Sequence, residues 1–250
     1  MRRSGPVRLI GLALVLALAG SRPAGAGPDA AASTLADIEA IAAPCPAEAV
    51  HCVGLFVHVA PALDGGLAQG PDWVAGQVAT ANRLFAPLGL GFTITAVRGL
   101  ADDDLVITTR DDRNRLGRRV TGGVVHVFVV GRLGNIDEAG GEINGVHWRR
   151  GGRHWVIVAA KAWDLTLGHE LGHFFGLPHS EVAASIMNTT WRSEPPRDQR
   201  VFQPDELERM RAGLRRMLRG RALRDHAVPA GTAPPPPPPR RARPRRATGR

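Results

Sequence analysis

Residues 169–179 read His-Glu-Leu-Gly-His-Phe-Phe-Gly-Leu-Pro-His, which puts three imidazoles and one carboxylate into a single short stretch. On a helix, two histidines four residues apart lie about 40° from each other around the axis, so His169 and His173 can reach one metal ion. Leu167, Leu171, Phe174 and Phe175 fall near the opposite side and suit a core. Gly176 tolerates positive φ, so the chain can turn there and bring back His179 as a third ligand. Three protein nitrogens leave one tetrahedral position open, the pattern of a catalytic rather than a structural zinc ion. Glu170 lies beside the ligand side without being a ligand. It is placed to act as general base toward an attacking water and then as acid toward a leaving amine. The alternative, a core helix with incidental histidines, gives no reason for Gly176 and His179 at these spacings.

The pattern HExxHxxGxxH resembles the metzincin clan of zinc endopeptidases, whose members also carry a methionine in a tight turn beneath the metal. Here Met187 follows His179 by eight residues, within Ser185-Ile186-Met187-Asn188. That spacing, and Ser180 directly after the third histidine, look like the matrixin branch. The resemblance implies that Met187 is a Met-turn residue forming an apolar base under the ligands without coordinating; an ordinary core methionine would be buried in much the same way. Some families of the clan place a tyrosine after this turn, and this chain has no tyrosine. The astacin and serralysin branches are disfavoured accordingly. The resemblance also implies that Thr189 and Trp191 wall the pocket for the residue after the scissile bond. A rim strand that pairs with extended substrate is expected at residues 143–148, including Asn144, Gly145 and Val146. A plain surface hairpin is the competing reading of that segment.

These residues need a scaffold, and the apolar patterning supplies one. Residues 53–59, 91–97, 124–130 and 155–160 read as strands. Val74, Val78, Ala81 and Phe85 recur at helical spacing, with Asp72 as the expected cap. Strand, helix and strand in that order favour a parallel crossover. Asp164 is expected to cap the metal-binding helix. A last helix opens at Pro204-Asp205-Glu206, with Leu207, Met210, Leu214 and Met217 along one side. The expected fold is therefore α+β and zincin-like: a mixed, mostly parallel twisted sheet with an antiparallel edge strand, an active-site helix, a Met-turn and a C-terminal helix.

The two ends of the chain read differently. Arg2, Arg3 and Arg8 precede an apolar stretch at 9–19, and Ala24-Gly25-Ala26 offers a cleavage site. Residues 1–26 thus read as a secretory signal peptide, with an apolar stretch shorter than the about 20 residues a membrane span needs. Residues 27–50 form an N-terminal segment that could be a short pro-segment, 51–224 the metzincin-like domain, and 225–250 a disordered tail. The formal charge of +9 belongs to the ends: the leader holds four arginines, the chain from Gly220 carries a net +7, and −2 is left between. Six consecutive prolines at 234–239 precede an arginine-rich run, an extended basic arm with nothing to build a core. Such an arm could bind anionic envelope polymers by charge, or merely keep the chain soluble.

Cys45 and Cys52 are the only cysteines. Export favours a disulfide between them. The rival is a thiolate switch over the open metal position, but the flanking prolines lack the rest of a matrixin pro-segment motif. His126, His147 and His154 do not match the spacing of a second structural zinc site, and His58 and His126 read as packed or hydrogen-bonded strand residues. Asp102-Asp103-Asp104 and Asp111-Asp112 lack a glycine-punctuated ligand loop and read as solvated turns, which leaves Ca2+ without support. The leader implies a secreted or periplasmic protein with no transmembrane segment after its removal, expected as a monomer; the resemblance implies one catalytic Zn2+ and hydrolysis of protein or peptide substrates. The alternative is a zinc-stabilised cell-surface binding protein whose basic tail is the working part.

Overall fold

The computed structural model describes residues 35–41, 45–62, 66–138, 140–190 and 194–227. The expected leader and the poly-proline and arginine arm lie outside the described residues. In chain order the elements are His51–Val59 (β1), Pro71–Phe85 (α1), Leu90–Gly99 (β2), Val106–Ile107 (β3), Arg110–Leu116 (α2), Val125–Val130 (β4) and Arg132–Leu133 (β5). Gly145–Arg150 (β6), Arg153–Ala159 (β7), Thr166–Phe174 (α3) and Pro204–Arg219 (α4) follow.

Five strands form one sheet in the order β2-β1-β4-β7-β6. The first four run parallel, and β6 pairs antiparallel with β7 at the edge. This is the mixed, mostly parallel sheet expected from the sequence. Both sheet faces are covered, as a parallel sheet requires. Because side chains alternate along a strand, Val53, Leu55, Val57 and Val59 of β1 point to one face with Val127, Val129, Val156 and Val158. Helices α1, α3 and α4 close over that face through Phe85, Leu171, Phe174 and Met210, all buried. The other face presents Phe128, Trp155 and Ile157, packed against Leu116 of α2.

Several local expectations are corrected. The N-cap of α1 is Gly70 with Pro71 following, so Asp72 sits in the first turn, where its charge favours the helix dipole without capping. Leu165, not Asp164, occupies the N-cap position of α3. The free amide there is met from another helix: buried Gln77 of α1 accepts from the Leu167 N–H at 3.1 Å and donates to the Trp163 carbonyl at 2.9 Å. One side chain thus fastens the start of α3 to α1.

The two acidic runs are not solvated turns throughout. Asp104 is buried and salt-bridged by Arg115 at 3.2 Å and Arg119 at 2.8 Å. Asp112 closes a capping box with Thr109 at the start of α2, a helix the sequence reading missed. Both carboxylates are committed to holding α2 in place.

Near the ends of the described chain, Cys45 and Cys52 form a disulfide. Ile38 is fully buried in the main core. Asp225 and His226, expected to begin the tail, bond instead to β1: Asp225 Oδ2 lies 2.5 Å from His51 Nδ1, and the His226 N–H donates to the Cys52 carbonyl at 2.7 Å. The folded body therefore runs past residue 224. Among the described residues no helix is long and apolar enough to cross a membrane.

Candidate metal centre

Helix α3 places His169 and His173 on its exposed side while Leu167, Leu171 and Phe174 enter the core. The helix stops at Phe175, and Gly176 adopts φ 107°, a conformation that side chains with a Cβ rarely take. The Gly176 and Leu177 N–H groups return to the His173 and Gly172 carbonyls, each at 3.0 Å. This reversal brings His179 back over the helix. One ligand nitrogen from each of His169, His173 and His179 lies within 4.8 Å of the others.

Two of these rings are held by their second nitrogen. His169 Nδ1 lies 2.8 Å from the Ile186 carbonyl and His173 Nδ1 lies 2.7 Å from the Leu177 carbonyl. A carbonyl can only accept, so each Nδ1 carries the proton and each Nε2 keeps a free lone pair. Burial lowers the His173 pKa and, with its imidazole neighbours, takes that of His169 down to about 4. Neutral imidazoles oriented by backbone carbonyls are the donor set that zinc takes. The residues present therefore fit the ion.

Met187 is fully buried beneath the helix. Its sulfur occupies the space beside Gly172, where a Cβ would come within 2.7 Å of it. The turn around it is tied at both ends. The Ser180 N–H donates to the Met187 carbonyl at 3.0 Å, coupling the stretch after His179 to this turn. Ser185 Oγ accepts the Met187 N–H at 2.9 Å and donates to Glu206 Oε1 of α4 at 2.7 Å. Glu206 in turn accepts the Gln203 N–H at 2.8 Å, so the capping box of α4 also anchors the turn. The bond between Ser185 and Glu206 escaped the sequence reading. The S/T-type and acidic positions were visible, but their contact spans 21 residues.

Glu170 is almost fully buried, at 5% exposure, directly under the edge strand. A Cβ on Gly145 would come within 2.9 Å of Glu170 Oε1. Burial pushes the Glu170 carboxyl up to about 8, opposed by the hydrogen bond from the His147 backbone N–H and by the Arg113 cation nearby. Asn144, Gly145 and Val146 line the cleft above α3, as does Thr189 beyond the Met187 turn. Trp191 lies outside the described residues. The cleft measures about 1360 Å³, larger than the few hundred to 1,000 Å³ typical of small-ligand pockets.

The remaining histidines do not join this centre. His58 Nε2 and His126 Nδ1 lie 2.9 Å apart inside the sheet, and His147 and His154 contact each other at 3.2 Å beside Phe174.

The family model described as Matrixin, a peptidase family, matches residues 131–211. That segment is matrixin-like. It contains the edge strand, α3, the three histidines, the Met187 turn and the start of α4. The metzincin resemblance drawn from the motif is borne out by this match. Among solved structures the chain is similar to metalloproteinase-II from Bacteroides fragilis, at 15% identity and TM-score 0.46, over 67% of this chain and 55% of that one. It is also similar to archaemetzincin from Methanopyrus kandleri, at 16% identity and TM-score 0.48, over 65% of this chain and 96% of the other. The chain thus spans about half the length of the Bacteroides protein. Comparison with curated proteins returns no match.

Proposed function

We propose that this chain is a zinc-dependent endopeptidase that works outside the cytoplasm, with His169, His173 and His179 as metal ligands and Glu170 as general base. The observation that carries the reading is the convergence of three imidazole nitrogens beside a buried carboxyl in a matrixin-like segment. When bound there, zinc supplies Lewis acidity, acidifying a water and polarising the substrate carbonyl.

The chain's own residues do the rest. Glu170 takes a proton from the attacking water and hands it to the departing amine nitrogen, and its buried setting keeps that proton from bulk solvent. The His147 N–H holds the carboxylate oriented during both transfers. Strand β6 is paired on one side only, so its outer edge can bind an extended peptide by backbone hydrogen bonds. Such pairing asks little of the peptide's sequence. Met187 and the Ser185–Glu206 contact hold the loop after His179 in register with α3.

Export is supported by the leader-like residues 1–26 and by the Cys45–Cys52 disulfide, a bond that persists in oxidising compartments. Replacing Glu170 by Gln is the direct test of the mechanism. Hydrolysis of a peptide library should fall by about 10²–10⁴-fold while one zinc per chain is retained. Near-normal turnover in that variant would refute the assignment.

A further inference from the structure

The three histidines of the metal centre are not held alike. Backbone carbonyls orient the rings of His169 and His173, and α3 carries both residues. His179 lies beyond that helix, within residues 177–182, which form no helix or strand. It is the exposed member of the three, and its ring centroid stands 5.5 and 4.7 Å from those of His169 and His173. Among the described residues no carbonyl holds its second nitrogen, as those of Ile186 and Leu177 hold the other two rings. Its place is therefore set through the backbone that follows it.

That backbone is gripped from the Met187 turn. Both polar backbone groups of Ser180 are engaged: its N–H donates to the Met187 carbonyl, and its carbonyl accepts from Asn188 Nδ2, each at 3.0 Å. Asn188 is buried, at 5% exposure, and the other end of its amide accepts the Thr190 N–H at 3.0 Å. The two bonds need opposite ends of the amide, so its orientation is fixed, with Nδ2 toward Ser180 and Oδ1 toward Thr190. Aspartate, of the same size, lacks the donor, and leucine lacks both groups. The turn is itself anchored, because the Met187 sulfur fills the space beside Gly172 of α3 and Ser185 bonds Glu206 of α4. Asn188 thus passes the position of two helices on to the residue next to His179.

We propose that Asn188 is a positioning residue for the third metal ligand: its amide ties Ser180 to the Met187 turn and thereby fixes the His179 ring against those of His169 and His173. The inference rests on the reading of His179 as a ligand. It adds a requirement that the HExxHxxGxxH pattern does not contain, a side chain nine residues beyond the last histidine. An irregular segment loses backbone freedom when it closes on an ion, and bonds that order it beforehand remove that cost from the binding step. The effect of losing Asn188 should therefore fall on metal affinity and ligand geometry.

Zinc affinity is measured by competition with a chelator on the full chain, for wild type, Asn188→Asp and Asn188→Ala, beside the Tm of each metal-free protein. Asn188→Asp keeps the acceptor for Thr190 but turns a second acceptor toward the Ser180 carbonyl. Asn188→Ala removes both bonds without placing a carboxylate in the buried turn, so it carries the test even if the aspartate variant does not fold. Each should raise the zinc Kd by about 10–100-fold. At saturating cobalt, where every site is filled and stability no longer enters, the visible absorption bands that report ligand geometry should differ from those of wild type. In a His179→Ala background, Asn188→Ala should change those bands no further, because it acts only through His179. Wild-type zinc affinity and cobalt bands in Asn188→Ala, with only the Tm lowered, would overturn the proposal and leave Asn188 as a structural cap of the turn. A raised KM with zinc affinity unchanged would also overturn it, assigning Asn188, which lines the cleft, to the substrate instead. Undiminished zinc affinity in His179→Ala would remove the ligand reading itself, and the proposal with it.

Discussion

Gly145 of the edge strand lies directly across Glu170 of α3, so closely that a Cβ at 145 would stand 2.9 Å from both Cγ and Oε1 of the glutamate side chain. The same Cβ would come within 2.7 Å of Thr166 Cγ2. Real Cβ atoms do not approach other atoms at such distances, so the strand and the carboxyl can share this space only while 145 is glycine. Gly145→Ala should displace Glu170 and lower kcat by about 10- to 100-fold, with zinc content unchanged. Steady-state kinetics and metal analysis on the same preparation check this. Full activity in Gly145→Ala would show that Glu170 has room to move.

Metal removal should act on stability as well as activity. An ion that binds only the folded state adds RT ln(1 + [L]/Kd), about 2.7 kcal/mol at a hundredfold excess over Kd. A chelator should therefore abolish peptide hydrolysis and lower Tm, and zinc should restore both. In His179→Ala the Tm should no longer respond to zinc. A zinc-dependent Tm rise of wild-type size in that variant would remove His179 from the ligand set.

The Met187 turn depends on a buried hydroxyl. Ser185→Ala leaves Glu206 Oε1 and the Met187 N–H without their shared partner. A buried polar group stripped of its bond costs about 1–3 kcal/mol, readable as a shift in the urea midpoint at constant m. Met187→Leu, close in volume, should cost less than about 1.5 kcal/mol, and Met187→Ala about 2–5 kcal/mol. A Ser185→Ala variant as stable as wild type would mean that the turn does not rely on this contact.

The His58–His126 pair should make the fold acid-sensitive well away from the metal. Burial, then the charges of His126, Arg119 and Arg98, lower His58 to about 3. Burial lowers His126 to about 4. Both folded values lie below the unfolded value of about 6.5, so below that pH the unfolded chain binds protons that the folded chain refuses. Stability is complete above about 6.5 and falls as the pH drops toward 4, by up to about 1.4 kcal/mol per pH unit for each group. His58→Gln keeps a hydrogen-bonding side chain but cannot titrate, so its stability should decline less steeply over that range. Parallel urea-derived curves for the two proteins would rule the pair out as the source.

Much of the fold and the heart of the site were legible beforehand because they rest on short-range geometry. The i, i+4 spacing of His169 and His173 places both rings on one side of any α-helix, and Gly176 allows the reversal that returns His179. Short apolar runs marked β1, β4 and β7, alternation marked β2, and the partly polar stretch from Ile143 to Trp148 marked an edge. Helix α2 was missed because its Arg-Asp-Asp-Arg-Asn-Arg-Leu sequence has no apolar stripe; capping and the burial of Arg113 and Leu116 hold it.

What the sequence determined by itself is the local chemistry: three imidazoles and a carboxylate on one helix and turn, and a methionine eight residues on. Backbone periodicity sets those relations whatever surrounds them. Only the tertiary structure decided that Gly145 roofs Glu170, that Gln77 satisfies the start of α3, and that Asp104 is buried between two arginines. Each of these joins residues that are neighbours only because the strand order and helix packing bring them together. No spacing along the chain encodes such a contact, because its energy comes from space shared after the sheet has formed.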